Sequence, residues 1–268
     1  MDTSNCFFHY TTREAAFGDI IPRRRLRFST YAQMRDPMEN KHWTFPAGYV
    51  AKDDEPDDVL ERAYFEFHRL ADAIFDQAHL LALTVDAEYP RPDELFGRGW
   101  SRARMWEQYA EAHKGVCLLF DRDGLAESIS ADLHRQLSVR PYAKPVEYSP
   151  SGGELSLNLG EFPTPVPADF VRNYIQANHH ELFFKKTLDW ETEHEYRFAT
   201  TAPPGEPLYA DYGDALVGII VGEKFPRWQR ASAIESASQV GLEPQIMHWE
   251  NNYPAPAALR LKPPPNLP

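Results

Sequence analysis

Apolar residues recur at helical spacing across 57–79, where Leu60, Ala63, Phe67, Leu70, Ala71, Ile74 and Ala78 share one face. Acidic residues just before them suit a helix N-terminus. Residues 80–85 then form a short apolar run of strand length. The spacing predicts a second helix over 101–113, capped by Ser101 and stopped by Gly115. A strand is expected at 116–120, a helix at 123–137 and a long helix at 168–188 anchored by Phe170, Tyr174, Phe183 and Phe184. Alternation marks 195–200 as a half-buried strand, and 215–221 as a central strand closed by Gly222. Near the start, 7–10 and 26–29 read as strands with a short helix between them at 13–20. A helix at 232–240 and a strand at 245–249 complete the set.

Strands and helices do not alternate regularly, so a doubly wound parallel sheet is not expected. The expected fold class is α+β, one domain over 1–261 with a mixed, mostly antiparallel sheet and flanking helices. Residues 149–167 are rich in Ser, Gly and Pro and read as a long loop or lid. Residues 262–268 hold four prolines and read as an extended tail.

Composition sharpens this picture at three points. Aromatics make up 13% of the 268 residues, enough for large aromatic packing surfaces. The net charge of -12 argues against broad duplex nucleic-acid binding, which needs clustered cations. The one basic run, Arg23, Arg24, Arg25 and Arg27, reads as a solvated turn and strand edge. Cys6 and Cys117 form no CxxC or Cys/His cluster and suit a reducing compartment. With neither a secretory signal nor a membrane-length apolar run in view, the expected location is cytoplasmic.

Four groups carry candidate chemistry. His9, Tyr10 and Thr11 stand together at the end of the first strand. Arg35-Asp36-Pro37-Met38-Glu39 breaks regular structure at its proline. Met105-Trp106-x-x-Tyr109-Ala110 sets Trp106 and Tyr109 three apart on a helix face. Trp190-x-x-Glu193-x-Glu195-x-Arg197 read as a strand would line Glu193, Glu195 and Arg197 along one face. The plain alternative for this last group is a surface ladder with a weak Glu–Arg pair. No His-Glu-x-x-His, Gly-x-Ser-x-Gly, Gly-x-Gly-x-x-Gly or Walker phosphate loop occurs, so metal, serine-hydrolase, Rossmann and NTPase readings lack their motifs. A nuclease would have to draw on Asp36, Glu39, Glu193 and Glu195.

In this order the four groups resemble a large, poorly characterised bacterial domain family. Arg35 stands where that family usually has Asn, Lys114-Gly115 follows the Met-Trp group, and Lys185 or Lys186 precedes Trp190. The family's layout is similar to that of ADP-ribosyltransferases, including toxin-like enzymes that modify nucleic acids. That resemblance implies an enzyme, toxin- or defence-related, that cleaves NAD and passes ADP-ribose to a protein or nucleic-acid acceptor. It implies Glu195 as the catalytic carboxylate beside the sugar, with Glu193 orienting the acceptor. It implies His9, Tyr10, Thr11, Ser29, Trp106, Tyr109 and Arg197 as the NAD-binding set, His9 on the adenosine ribose and Tyr10 against the nicotinamide. No metal is expected. The other reading is a non-catalytic interaction or sensing module on the same fold.

Overall fold

The computed structural model describes residues 3, 5–34, 47–48, 57–87, 95–151, 155, 157–158, 165–251 and 253–261. Chain order begins with β1 (Cys6–Thr11), α1 (Arg13–Ala15), a π turn (Ala16–Ile20), α2 (Ile21–Arg23), β2 (Arg25–Thr30) and β3 (Ala47–Gly48). Next come α3 (Asp57–Gln77), β4 (Ala78–Thr84), α4 (Ala103–Tyr109), β5 (Val116–Asp121) and α5 (Arg122–Leu137). The middle of the chain gives β6 (Tyr142–Pro145), β7 (Glu147–Ser149), β8 (Leu157–Asn158), α6 (Ala168–Phe183) and β9 (Lys185–Thr187). The last third gives β10 (Glu195–Thr201), β11 (Leu208–Asp211), β12 (Leu216–Val221), α7 (Arg230–Gln239), β13 (Gln245–Ile246), β14 (Trp249–Glu250), β15 (Tyr253–Pro254) and β16 (Ala257–Ala258).

Ten strands join in one sheet, ordered β11-β2-β4-β1-β5-β12-β13-β16, with β10 on β4 and β6 beyond β10. All its ladders are antiparallel except β12 with β13. This is a single α+β domain with a mixed, mostly antiparallel sheet. Among the described residues, no helix is long and apolar enough to cross a membrane.

Period-two alternation explains how the sheet feeds two layers. Phe7 of β1 turns to one side, where Leu81, Leu83, Leu118 and Phe198 meet Leu125, Ile129 and Leu133 of α5. Phe8 and Tyr10 turn to the other, against Trp100, Met105 and Trp106 around α4. Further along that same side, α3 and α6 bury Leu70, Ile74, Ile175 and Phe183 with Leu80 and Ala199. The edge strand β11 is covered rather than left open. Asp132 of α5 accepts from the Asp211 amide at 2.7 Å, and Gln136 and Ser128 donate to the Tyr209 and Asp211 carbonyls at 2.9 Å each.

Several expected boundaries shift. The helix expected over 57–79 ends at Gln77, because its last two residues start β4. The helix expected over 101–113 is only Ala103–Tyr109, and Ser101 does not cap it: its hydroxyl donates to the Arg98 carbonyl. Residues Glu111, Ala112 and His113 carry φ of 49°, 51° and 68°, a left-handed turn no helix accommodates. The helix expected over 168–188 stops at Phe183 and is followed by β9. The strand expected at 245–249 divides into β13 and β14. Most of 149–167, all of 262–268 and the Arg35–Glu39 group (Arg35, Asp36, Pro37, Met38, Glu39) lie outside the described residues.

Candidate active site

β4 gives one whole edge to β10, from Glu195↔Thr84 through Thr201↔Ala78. Its other edge is divided. β2 pairs only at Ser29↔Leu80 and Thr30↔His79, and β1 only at Phe8↔Thr84. β1 instead follows β5 along all six residues. The two strands therefore diverge at Ala82, and the fork holds a cavity of about 470 Å³. His9, Tyr10, Thr11, Ser29, Tyr109, Glu193 and Glu195 all line it. Trp106 and Arg197, expected beside them, do not: both are fully buried behind the wall.

On the β1 side, Tyr10 is fixed. Its hydroxyl donates to the Gly99 carbonyl at 2.7 Å, and its ring meets Trp106 edge-on with centroids 5.2 Å apart. Trp106 in turn donates from Nε1 to the Trp100 carbonyl at 2.9 Å, so it buttresses Tyr10. His9 reaches across the fork to the Ala82 backbone. Burial lowers its imidazole to about 4, with the Ala82 hydrogen bond pulling weakly the other way, so the ring is neutral at physiological pH. On the opposite wall, Arg27 and Ser29 share a face of β2 two residues apart, with Tyr209 standing directly across from Arg27.

The floor is a buried ion cluster. Lys186 Nζ lies 3.1 Å from Glu193 Oε2 and 3.1 Å from Glu195 Oε2. Arg197 binds Glu195 through two nitrogens, Nε to Oε1 at 2.6 Å and a second to Oε2 at 3.0 Å, and donates to the Phe183 carbonyl at 2.9 Å. Glu193 Oε1 accepts from the Tyr109 hydroxyl at 2.8 Å. The backbone N–H of Glu195 donates to the Tyr148 hydroxyl at 2.9 Å. Burial alone would raise the Glu195 carboxyl, but Arg197 and Lys186 outweigh it and hold it below the usual range. Two carboxylates and two cations leave the cluster with no net charge.

Glu193 does not share a strand with Glu195, as the alternation suggested. It ends a tight helical run, Leu188–Glu193, and His194 at φ 44° turns the chain into β10. The turn is pinned by Arg102, which donates to the Glu193 and Val85 carbonyls at 2.8 and 2.7 Å. The surface-ladder alternative fails as well, since Glu193, Glu195, Lys186 and Arg197 are all buried. Of the two lysines, Lys186 is the buried one, whereas Lys185 pairs with Glu147 at the surface. Alternation within β9 separates them, a signal hidden while 168–188 is read as one helix. Tyr148 and Arg102 stand outside every motif and were not legible. In the basic run, Arg23 and Arg25 pair with Asp19 and Arg24 with Asp214, which leaves Arg27 on the cleft wall. Among the described residues, no group of three or more His, Cys, Asp or Glu is arranged to hold a metal ion.

No curated protein and no solved structure matches the chain. Over residues 105–198, which run from α4 to β10 and carry Tyr109, Lys186, Glu193, Glu195 and Arg197, the chain is similar to a family described as Protein of unknown function (DUF2971).

Proposed function

We propose that the fork between β1 and β2 binds NAD and that the chain transfers ADP-ribose from it to a macromolecular acceptor. The observation that carries the reading is convergence: His9, Tyr10, Ser29, Glu193 and Glu195, distant in sequence, line one cavity. Breaking the nicotinamide bond develops positive charge on the ribose, as in glycoside hydrolysis. A fixed carboxylate beside that sugar lowers the barrier. In this reading the neutral His9 ring and Ser29 hold sugar hydroxyls, Arg27 meets the pyrophosphate, and Tyr10 and Tyr109 flank the flat rings.

The proposal reverses the roles of the two carboxylates. Glu195 already takes three hydrogen bonds from Arg197 and Lys186. Each oxygen of Glu193 takes one, from Tyr109 and from Lys186. A carboxylate oxygen accepts up to two, so Glu193 keeps capacity for a ribose hydroxyl. Glu193 is therefore assigned the sugar and Glu195 the task of holding the two cations. The charge balance of the cluster also favours a second reading, a sensing module that binds the nucleotide without turnover. Calorimetric titration with NAD, followed by incubation of labelled NAD with lysate, tests both. Heat with transferred label supports the transferase, heat without consumption of NAD supports the sensor, and no heat from folded protein overturns both.

A further inference from the structure

A second surface stands out beside the cleft, on the turn between β12 and α7. Lys224, Arg227 and Arg230 fall within seven residues and flank Trp228 in the sequence; its side chain is 78% exposed, the most exposed large apolar side chain among the described residues. Isolated apolar residues on a surface are ordinary, but this one is rigidly presented. Phe225 is buried against Phe17, the Lys224 amide donates to the His113 carbonyl at 2.9 Å, and Gln229 accepts from Arg13 at 2.7 Å.

The cations have no carboxylate partner among the described residues, although the chain carries 40 Asp and Glu against 28 Lys and Arg. Arg230 donates weakly to the Arg260 carbonyl at 3.4 Å, and its Nε is buried with no partner. Burial and the neighbouring Arg227 both disfavour the Arg230 charge, a cost that an anion would relieve. Glu223 beside Lys224 is the one acidic residue in the segment, and Glu107 faces His113 nearby.

We infer that this turn is a docking surface for a single strand of nucleic acid, with Trp228 stacking on a base and Lys224, Arg227 and Arg230 meeting the phosphates. An exposed flat ring between unpaired cations matches a polymer that alternates planar bases with anions. An acidic peptide would use the cations but has no need of the ring. Arg13 follows Thr12 of the cleft wall directly and holds Gln229, so the surface borders the mouth of the fork. A strand docked there would be the acceptor of the transfer. That last step rests on the NAD reading, whereas binding itself does not.

Fluorescence anisotropy of a short labelled oligothymidylate, titrated at stepped salt concentrations without NAD, provides the test. Wild type binds, and Trp228→Ala weakens binding by about tenfold or more, the usual loss for one stacked base. Arg227→Gln flattens the logarithmic salt dependence by about 0.7, the contribution of one phosphate on a single strand. Absence of binding at low salt, equal binding by Trp228→Ala, or equal binding of polyglutamate would each overturn the proposal. NAD consumption by wild type is measured alongside, with and without the strand. If wild type binds the strand but consumes no NAD, it is the transferase reading that fails, and the docking surface stands.

Discussion

Glu193 and Glu195 share Lys186, yet their surroundings call for opposite behaviour on substitution. Glu195→Gln removes the charge that balances Arg197, whose side chain is wholly buried. Breaking a buried pair by removing one partner costs about 3–5 kcal/mol, and urea denaturation should show a loss of that order. Glu193→Gln leaves Lys186 with Glu195, so it should be the milder change in stability. Under the proposed transferase reading its effect falls on chemistry, where loss of one preorganised electrostatic group costs about two to three orders of magnitude in turnover. A stable Glu195→Gln protein without turnover, beside an active Glu193→Gln, would return the sugar role to Glu195. His9 adds a prediction in pH. The folded ring stays neutral down to about 4, whereas an unfolded His takes up a proton near 6.5. Between these values the unfolded state binds more protons, so this residue's contribution is fully present above 6.5 and is lost as the pH falls to about 4. Denaturation midpoints at stepped pH should fall across that window in wild type and fall less in His9→Gln. Parallel curves would remove His9 as a source of acid sensitivity.

At the level of elements, the turn after α4 decides how the site is framed. Three successive left-handed residues cost roughly 1–2 kcal/mol each, and the surrounding contacts hold them in place. Glu111 accepts from the Arg13 backbone and guanidinium at 2.9 Å each, and the His113 carbonyl accepts from Lys224. Gly222 makes this possible, since a β-carbon there would stand 2.1 Å from the His113 oxygen. Gly222→Ala should therefore cost about 1–3 kcal/mol or more through forced backbone displacement, read as a lower melting temperature. An unchanged melting temperature would mean that the turn yields freely. Such local detail also marks where sequence reasoning reached its limit. The pattern of apolar positions located β1, β2, α3, β5, α5, β10 and β12 closely, although β10, expected to be half-buried, is buried on both faces like β1, β5 and β12. It failed at 193–194, where Glu-x-Glu-x-Arg reads as one strand but Glu193 ends a helical run and His194 adopts a left-handed conformation before β10 begins at Glu195. It failed again at 101–113, where Gly115 ends the segment but the helix has already stopped at Tyr109. Neither departure has a periodic signature.

At the scale of the molecule, the convergence of β1, β2, α4, β9 and β10 on one cavity depends on pairings between residues far apart in the chain. His9, Tyr10, Glu193 and Glu195 were recognisable as motif members. Their common cavity, the burial of Lys186 and the retreat of Trp106 and Arg197 behind its wall were not, because register between distant strands leaves no local trace. The fork itself carries one more implication. Thr84, Ala82 and Leu80 present the same edge of β4; Thr84 stands opposite β1 and Leu80 opposite β2, while among the described residues no strand pairs with Ala82 on that edge. Its amide is thus a mid-strand proton that the ladder does not guard. In deuterated water it should exchange faster than the Leu81 and Leu83 amides, which face β10. A molecule seated in the fork would close that gap, so slowing of this one proton would report occupancy whether or not the occupant is ever consumed.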